Sequence, residues 1–417
     1  MAKFVSDKVR NHIPDDLAFS ILSKLPLKSL KRFGCVNKTW LVLFENPNFM
    51  IDFRSNFVSI PHSYYKDTSF LLHQTFYNHE HNYVSFSLHS LFGERFKNKV
   101  KLDFPNLFRQ EDPGFYVLVS GSVNGILCLY DRDTIVLWNP TTKEFKVIPP
   151  SPAESLPLYE AIIKYIHGFG YDPFSDDYKI IRNVGFVPIT DDDDDDDDDD
   201  DVLPFDVQWE DVCENYDTFW EVYSVVCNSW RKVDLVLPTC YWEGGNCNDN
   251  LLYLDGMCHW LSNSYGDNKN NNEEYLVSFN LTNEVCFTTL MPALTPLDID
   301  PNETCNWVQR ALVLLNGSIA SILWYTTTFH ISILGKLGVK ESWTKIFVVG
   351  PLSDDIRYPI GAGKNGDIFF AKKDGREPIC FDLCTQMIEE LDGVKGAHNS
   401  KIIIYKESLV SIGGKNH

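Results

Sequence analysis

The stretch NGILCLYDRDTIVLWNPTTKEFKVIPP, residues 124–150, decides how the long part of this chain folds. Asn124-Gly125 is a tight-turn dipeptide, and Ile126–Tyr130 and Ile135–Trp138 are short apolar runs of strand length. Asn139-Pro140-Thr141-Thr142-Lys143-Glu144-Phe145 reads as a second turn, followed by a strand ending at Pro149. The same order returns downstream. Asp255-Gly256 precedes Met257–Leu261, then Tyr275–Phe279, then the turn Asn280-Leu281-Thr282-Asn283-Glu284 and a strand ending at Pro292. Asn316-Gly317 and Asn365-Gly366 open two more rounds, the last containing Ile379–Thr385. A weaker round begins at Gly168-Phe169-Gly170-Tyr171-Asp172 and runs through Glu221–Val226 to Trp230.

Round starts near 125, 170, 256, 317 and 366, each round holding three or four strands, are the signature of a propeller blade or a meandering sheet. Alternating segments between Val58 and Leu91, such as Tyr83–Leu88, read as further strands, and Ile402–Tyr405 and Leu409–Ile412 as the last ones. Pairing of first strands with last would close a ring. The spacing therefore predicts an α+β chain: a small helical segment followed by a large all-β domain, a kelch-like propeller of about six blades, with a two-sheet β-sandwich as the alternative.

The helical segment lies in residues 10–55. Pro14 suits a first helical turn and Asp15 and Asp16 its dipole. Leu17, Ile21, Leu22 and Leu25 fall on one helical face, and Pro26 ends the helix. A second helix is predicted from Ser29, with Leu30, Phe33, Val36, Trp40, Leu41 and Phe44 as its stripe, and Asn46-Pro47-Asn48 turns into a third element carrying Phe49, Met50 and Phe53. Three short helices carry more apolar residues than they can cover among themselves, so another surface must cover part of them.

The segment IPDDLAFSILSKLPLKSLKRFGCVNKTW resembles the F-box, with Ile13-Pro14, Leu17, Ile21, Leu22, Leu25-Pro26, Leu30, Val36 and Trp40 in the positions of that motif. Gly34, within the second helix, and Asn37, where Cys is frequent, depart from the commoner plant form. In the β body, SVNGILCLY with LWNPTTKEFKVIPP, GFGYDPFSDDYKII, EVYSVVCNSWRKV, LDGMCHWL and GVKESWTKIF resemble the F-box-associated domain of plant F-box proteins, a group that includes the S-locus F-box proteins. Ile331-Ser332-Ile333-Leu334 replaces the Trp-hydrophobic-Met usual before the last of these words and reads as a buried strand. The resemblance implies that Pro14, Leu17, Ile21, Leu22, Leu25, Pro26 and Leu30 contact a Skp-type adaptor of a cullin–RING ubiquitin ligase, while Val36 and Trp40 pack the motif's own core.

The resulting division is a flexible terminus at 1–9, an F-box at 10–55 and the β domain at 56–417, interrupted by an acidic disordered insertion at 190–204. Eleven of the 58 acidic residues form the unbroken run Asp191–Asp201, which carries about half of the net charge of -21. That balance argues against a nucleic-acid partner. No secretory leader is evident in the N-terminal sequence, and Ala311–Trp324 is too short and too interrupted to span a bilayer. The 11 cysteines contain no CxxC pair, which fits reduced thiols in the cytoplasm or nucleus, with Asn280 and Asn302 as idle glycosylation sequons.

Catalytic readings lack context. His79-Glu80-His81 has no further ligand at metal spacing and reads as a loop. Gly361-Ala362-Gly363-Lys364-Asn365-Gly366 fits GxGxxG, but Asp367-Ile368-Phe369-Phe370 continues it as a strand, so no helix end faces a phosphate. The expectation is a non-enzymatic receptor without cofactor or metal, holding a protein target on loops such as Tyr241–Asn248 and Tyr265–Glu274. The S-locus likeness adds a pollen-rejection ribonuclease as a minority target. The alternatives are a propeller binding carbohydrate or a small molecule on Trp242, Trp260 or Trp307, and a scaffold that takes the adaptor but never joins a cullin.

Overall fold

A computed structural model describes most of residues 15–59, 68–105, 116–188, 218–235, 251–293 and 308–412, short intervals within these spans excepted. Pro14, Pro26, the acidic run, His79–His81, Trp242, Trp307 and the segments 241–248 and 265–272 lie outside the described residues.

Among the described residues, three helices are bounded first: α1 (Asp15–Leu22), α2 (Leu27–Val36) and α3 (Pro47–Ser59). The second is bounded at Val36, Trp40 is again helical, and Val42–Glu45 forms a 3₁₀ turn. The third is longer. Asn46 caps it, its Oδ1 accepting from the backbone N–H of Asn48 (2.9 Å) and Phe49 (3.2 Å), and Pro47 occupies the first helical position, where no N–H is needed. Because α3 runs on to Ser59, the first strand starts at Thr68 and not near Val58.

The β body is a ring of six four-stranded sheets. From inner to outer strand, the first blade is β24 (Asn399–Lys406), β1 (Thr68–Asn78), β2 (Tyr83–Phe92) and β3 (Asn98–Leu102). The second is β4 (Tyr116–Val117), β5 (Leu127–Tyr130), β6 (Ile135–Trp138) and β7 (Phe145–Val147), and the third β8 (Tyr159–Asp172), β9 (Asp177–Pro188), β10 (Thr218–Ser224) and β11 (Ser229–Val233). The fourth comprises β12 (Leu252–Leu254), β13 (Met257–Ser264), β14 (Glu273–Asn280) and β15 (Cys286–Leu290), and the fifth β16 (Gln309–Leu315), β17 (Ser318–Trp324), β18 (Phe329–Leu334) and β19 (Trp343–Val349). The sixth is β20 (Ile356–Ala362), β21 (Asp367–Lys372), β22 (Ile379–Asp382) and β23 (Ile388–Glu390). Six separate sheets exclude the sandwich. The ring closes by pairing of β1 with β24, in register from Thr68 opposite Lys406 to Thr75 opposite Asn399.

The repeated turn words account for the ring. Asn124-Gly125, Asp255-Gly256 and Asn316-Gly317 each hold two successive positive φ values, 52° and 83°, 50° and 78°, and 47° and 71°, the geometry of a type I′ turn. They join, or extend to, the first two strands of blades two, four and five. Asn139, Asn280 and Asp382 join the last two strands of blades two, four and six. In each, a side-chain Oδ1 accepts from the backbone N–H two residues on, at 3.0, 2.9 and 2.6 Å. In the third blade the turn is Pro173–Asp176, pinned by Asp172 Oδ1 accepting from Phe174 N (3.0 Å). Gly170, expected to open that round, lies inside β8 and packs against Tyr253 and Leu281 of the next blade.

Leu409–Ile412 is not a strand. Asn139 Nδ2 donates to Ser408 O and Val410 O, both at 2.9 Å, and Glu144 Oε1 accepts from Ser411 Oγ and Ile412 N. The tail is thereby strapped across the second blade, with Ile412 buried in the core of the second to fourth blades. A side chain at Gly125 would collide with Ser408, so the turn that starts the blade must also let the strap pass. The words SWRKV and SWTKIF share a function: Trp230 Nε1 donates to Pro149 O (2.8 Å) and Trp343 Nε1 to Leu290 O (3.1 Å), each stapling its blade to the preceding one. Ile331–Leu334 is a buried strand segment as expected, apart from half-buried Leu334.

Candidate functional site

The helices present two neighbouring stripes with opposite fates. On α1, Ala18 and Leu22 are buried, while Leu17 and Ile21, one position earlier and also i, i+4, are 52% and 50% exposed. Leu25 is half-buried, and Leu30 of α2 is buried. Of the positions expected to face an adaptor, Leu17 and Ile21 are open, whereas Leu22 and Leu30 are core. These two share one apolar cluster with Phe49, Met50 and Phe53 of α3 and with Val313, Leu315 and Ile322 of the fifth blade. Such a position is not available to a partner as placed. A 3.6-residue period locates the apolar arc of a helix; it does not say which edge of that arc the rest of the chain covers. Trp40 is half-buried, edge-on to Phe33 at 5.9 Å between centroids; Val36 lies at the end of α2. Phe33, Val42 and Ile51 add exposed apolar surface on the helical segment.

The propeller has two unlike faces. Strands alternate in direction within each blade, so the turns between its first two and last two strands emerge on one face, and the remaining connections on the other. The first face carries the short hairpins and the helical segment. Asn316, in the first hairpin of the fifth blade, donates from Nδ2 to the Phe57 carbonyl of α3. From the opposite face leave the connections β9–β10 (residues 189–217), β11–β12 (234–251), β13–β14 (265–272) and β15–β16 (291–308). The acidic run and both segments expected to select a target belong to these connections, except Glu273 and Glu274, which begin β14.

A scan against family profiles matches residues 72–412 to the F-box associated beta propeller domain and residues 11–52 to the F-box domain. The chain is a plant F-box protein with an F-box-associated propeller. Among its relatives, F-box protein CPR1 of Arabidopsis thaliana is 24% identical over 81% of this chain and 73% of the relative, and F-box protein At1g52495 of the same plant is 27% identical over 66% and 55%. The chain spans about half the length of most of the curated relatives it matches first. No helix among the described residues of this F-box protein is long and apolar enough to cross a membrane, and no group of three or more His, Cys, Asp or Glu among them could hold a metal ion.

Trp260, a proposed sugar platform, is 1% exposed in the F-box protein. It stacks on Trp220 at 5.7 Å and lies tilted against His167 at 5.2 Å, inside the wall between the third and fourth blades. Burial pushes His167 down to about 3, so the ring is neutral at physiological pH and packs as an aromatic.

Two buried charge clusters escaped the sequence reading. Arg182 Nε meets Glu221 Oε1 at 2.6 Å, Ser151 Oγ donates to Glu221 Oε2 at 2.8 Å, and the guanidinium lies 3.8 Å over the Trp230 ring. Lys179 Nζ donates to Asp172 Oδ2 (2.8 Å) and to Leu281 O (2.7 Å) of the next blade. Burial opposes ionisation of Asp172, but hydrogen bonds from Lys179, Ser175, Thr282 and the Phe174 N–H prevail and hold its carboxyl well below the usual range. The signal was present: Arg182 in IIRNV and Glu221 in FWEVY are single charges within apolar strands, which fold stably only if they meet.

Asp367 behaves in the opposite sense. Burial, then the charges of Asp382 and Glu389, push it up from 3.8 to about 7. The unfolded chain therefore ionises first as pH rises from about 4 to about 7, stability falls through that window, and above it the full cost is present. Asp367→Asn is expected to raise the melting temperature at pH 8 and leave it unchanged at pH 4, as thermal melts at the two values would show.

Proposed function

We propose that this F-box protein is a non-catalytic substrate receptor of an SCF-type cullin–RING ubiquitin ligase. The observation that carries the reading is the exposed pair Leu17 and Ile21, on a helix whose next stripe is buried in the chain's own core. An apolar i, i+4 pair left in water on a short helix is the form of a helix-docking surface. In this reading α1 binds the Skp-type adaptor and the adaptor brings the cullin. The opposite face of the propeller holds the target. Catalysis belongs to the recruited conjugating enzyme, and the receptor acts by raising the target's effective concentration near it. A cytoplasmic or nuclear location follows from that assembly.

Residues 241–248 and 265–272 are assigned to target selection because the connections β11–β12 and β13–β14 leave the face turned away from the helices; Glu273 and Glu274, the end of the expected segment, belong to β14 and stay outside the assignment. The test is to replace each segment by a Gly/Ser linker in the full chain, confirm that the adaptor still binds, and identify the retained proteins by mass spectrometry. The reading expects the set to change. An unchanged set with both replacements overturns the assignment. Deleting Asp191–Asp201 in the same assay tests whether the run attracts a basic target or only keeps its connection hydrated.

A further inference from the structure

A buried cation sits in the wall between the fourth and fifth blades, at the end turned away from the helices. Arg310 is the second residue of β16, its side chain is 5% exposed, and its donors go to three separate elements. Nε donates to Glu274 Oε2 (2.8 Å), Nη1 to Ser321 Oγ of β17 (2.7 Å) and Nη2 to the Pro292 carbonyl (2.7 Å). Two of these partners are stems of long connections. Glu274 is the second residue of β14, where the β13–β14 connection enters the fourth blade, and Pro292 lies two residues past β15, where the β15–β16 connection leaves it. Met291 N donates to Glu274 O at 2.9 Å, so the two stems are also bonded to each other. The Met291 side chain is buried in the core of the same wall, with Leu276 and Leu312.

We infer that Arg310 is a positioning residue for target recognition: it fixes the stems of the β13–β14 and β15–β16 connections against each other, so that the two are presented together. The consequence for target choice rests on the receptor reading, because loops select a partner only when a rigid scaffold sets where they start. The clamp itself rests on the three bonds. Its place separates it from the Arg182 pair, whose carboxylate, Glu221, is the fourth residue of β10 and lies within a blade. The planar fork is the feature the arrangement uses. One guanidinium points donors in several fixed directions, whereas an ammonium is a single nitrogen that can follow Glu274 or Pro292 without spanning both stems.

That difference supplies the test. Arg310→Lys keeps the charge and removes the fork, and Arg182→Lys makes the same exchange in the third blade as the control for a general loss of stability. Hydrogen exchange of the full chain, read by mass spectrometry on peptides covering 273–280 and 286–293, follows the stems directly. Where the variants differ in melting temperature, the more stable is brought level with urea. Exchange at the stems is expected to be about tenfold faster in Arg310→Lys than in the wild type and unchanged in Arg182→Lys, because only the first opens them locally. Glu274→Gln, which leaves an acceptor on the same stem without the charge, is the milder variant and is expected to speed exchange by less. The same chains, carrying bound adaptor and presented to plant extract, give the second layer. Arg310→Lys is expected to lose the proteins that the Gly/Ser replacement of 265–272 loses, and Arg182→Lys to keep them. Equal exchange at the stems in the two lysine variants, or fast exchange there in the wild type, overturns the clamp. Stems that loosen while the retained set stays the same overturn its part in target choice. A wild-type chain that takes no adaptor sinks the receptor reading and leaves the exchange result standing.

Discussion

Leu17→Asp combined with Ile21→Asp is expected to weaken binding of a Skp-type adaptor at least about 100-fold while leaving the melting temperature of the chain unchanged. Both side chains are about half exposed, so the free chain gives up little when they become carboxylates. In the complex each would be an unpaired charge within an apolar contact, at several kcal/mol, and each 1.4 kcal/mol is about tenfold in affinity. The contrast variant is Leu22→Asp. Leu22 is 4% exposed within the cluster that joins the helices to the fifth blade, and a charge there should unfold the helical segment rather than merely weaken its binding. Titration calorimetry and circular dichroism on the three proteins separate a surface role from a core role. Equal loss of adaptor binding and of helicity in the Leu17/Ile21 variant would place that pair in the core as well.

The second large effect is expected at the Arg182–Glu221 pair. Arg182→Met leaves Glu221, 2% exposed, without its guanidinium, and removes the cation from the Trp230 ring. Breaking a buried pair from one side costs about 3–5 kcal/mol, a large share of the roughly 5–15 kcal/mol that holds a typical domain folded. Glu221→Leu should also destabilise, by removing the carboxylate that meets the buried guanidinium at 2.6 Å. The double variant Arg182→Met/Glu221→Leu should recover most of the loss, because it exchanges two buried charges for well-packed apolar groups. Urea unfolding of the four proteins completes the cycle. Additive losses in the double variant would show that the two residues act independently.

The repeat was legible because its punctuation is local. Asn124-Gly125, Asp255-Gly256 and Asn316-Gly317 need positive φ at successive positions, and few dipeptides satisfy that. Asn139, Asn280 and Asp382 cap their hairpins through atoms two residues away. The third blade was misaligned because its turn, Pro173–Asp176, carries no Asn-Gly and is held by the preceding Asp172. Leu409–Ile412 has strand composition but ends as a strap, since its partners, Asn139 and Glu144, lie far back in the sequence and offer a side-chain amide and a carboxylate instead of a free strand edge. On the F-box, the apolar positions were legible, but their division into Leu17/Ile21 outside and Leu22/Leu30 inside was not. The fifth blade decides it by covering one stripe, and that blade follows the helices by about 250 residues, a separation no local pattern spans.

The receptor account stands or falls on assembly. The most direct measurement is size-exclusion chromatography with light scattering of the full-length chain mixed with purified plant Skp-type adaptor and the N-terminal part of a cullin. The account predicts that chain, adaptor and cullin co-elute as one complex of equimolar composition, and that the Leu17→Asp/Ile21→Asp chain elutes alone. A wild-type chain that elutes apart from the adaptor would contradict it, and one that carries the adaptor but excludes the cullin would reduce it to an adaptor-binding scaffold.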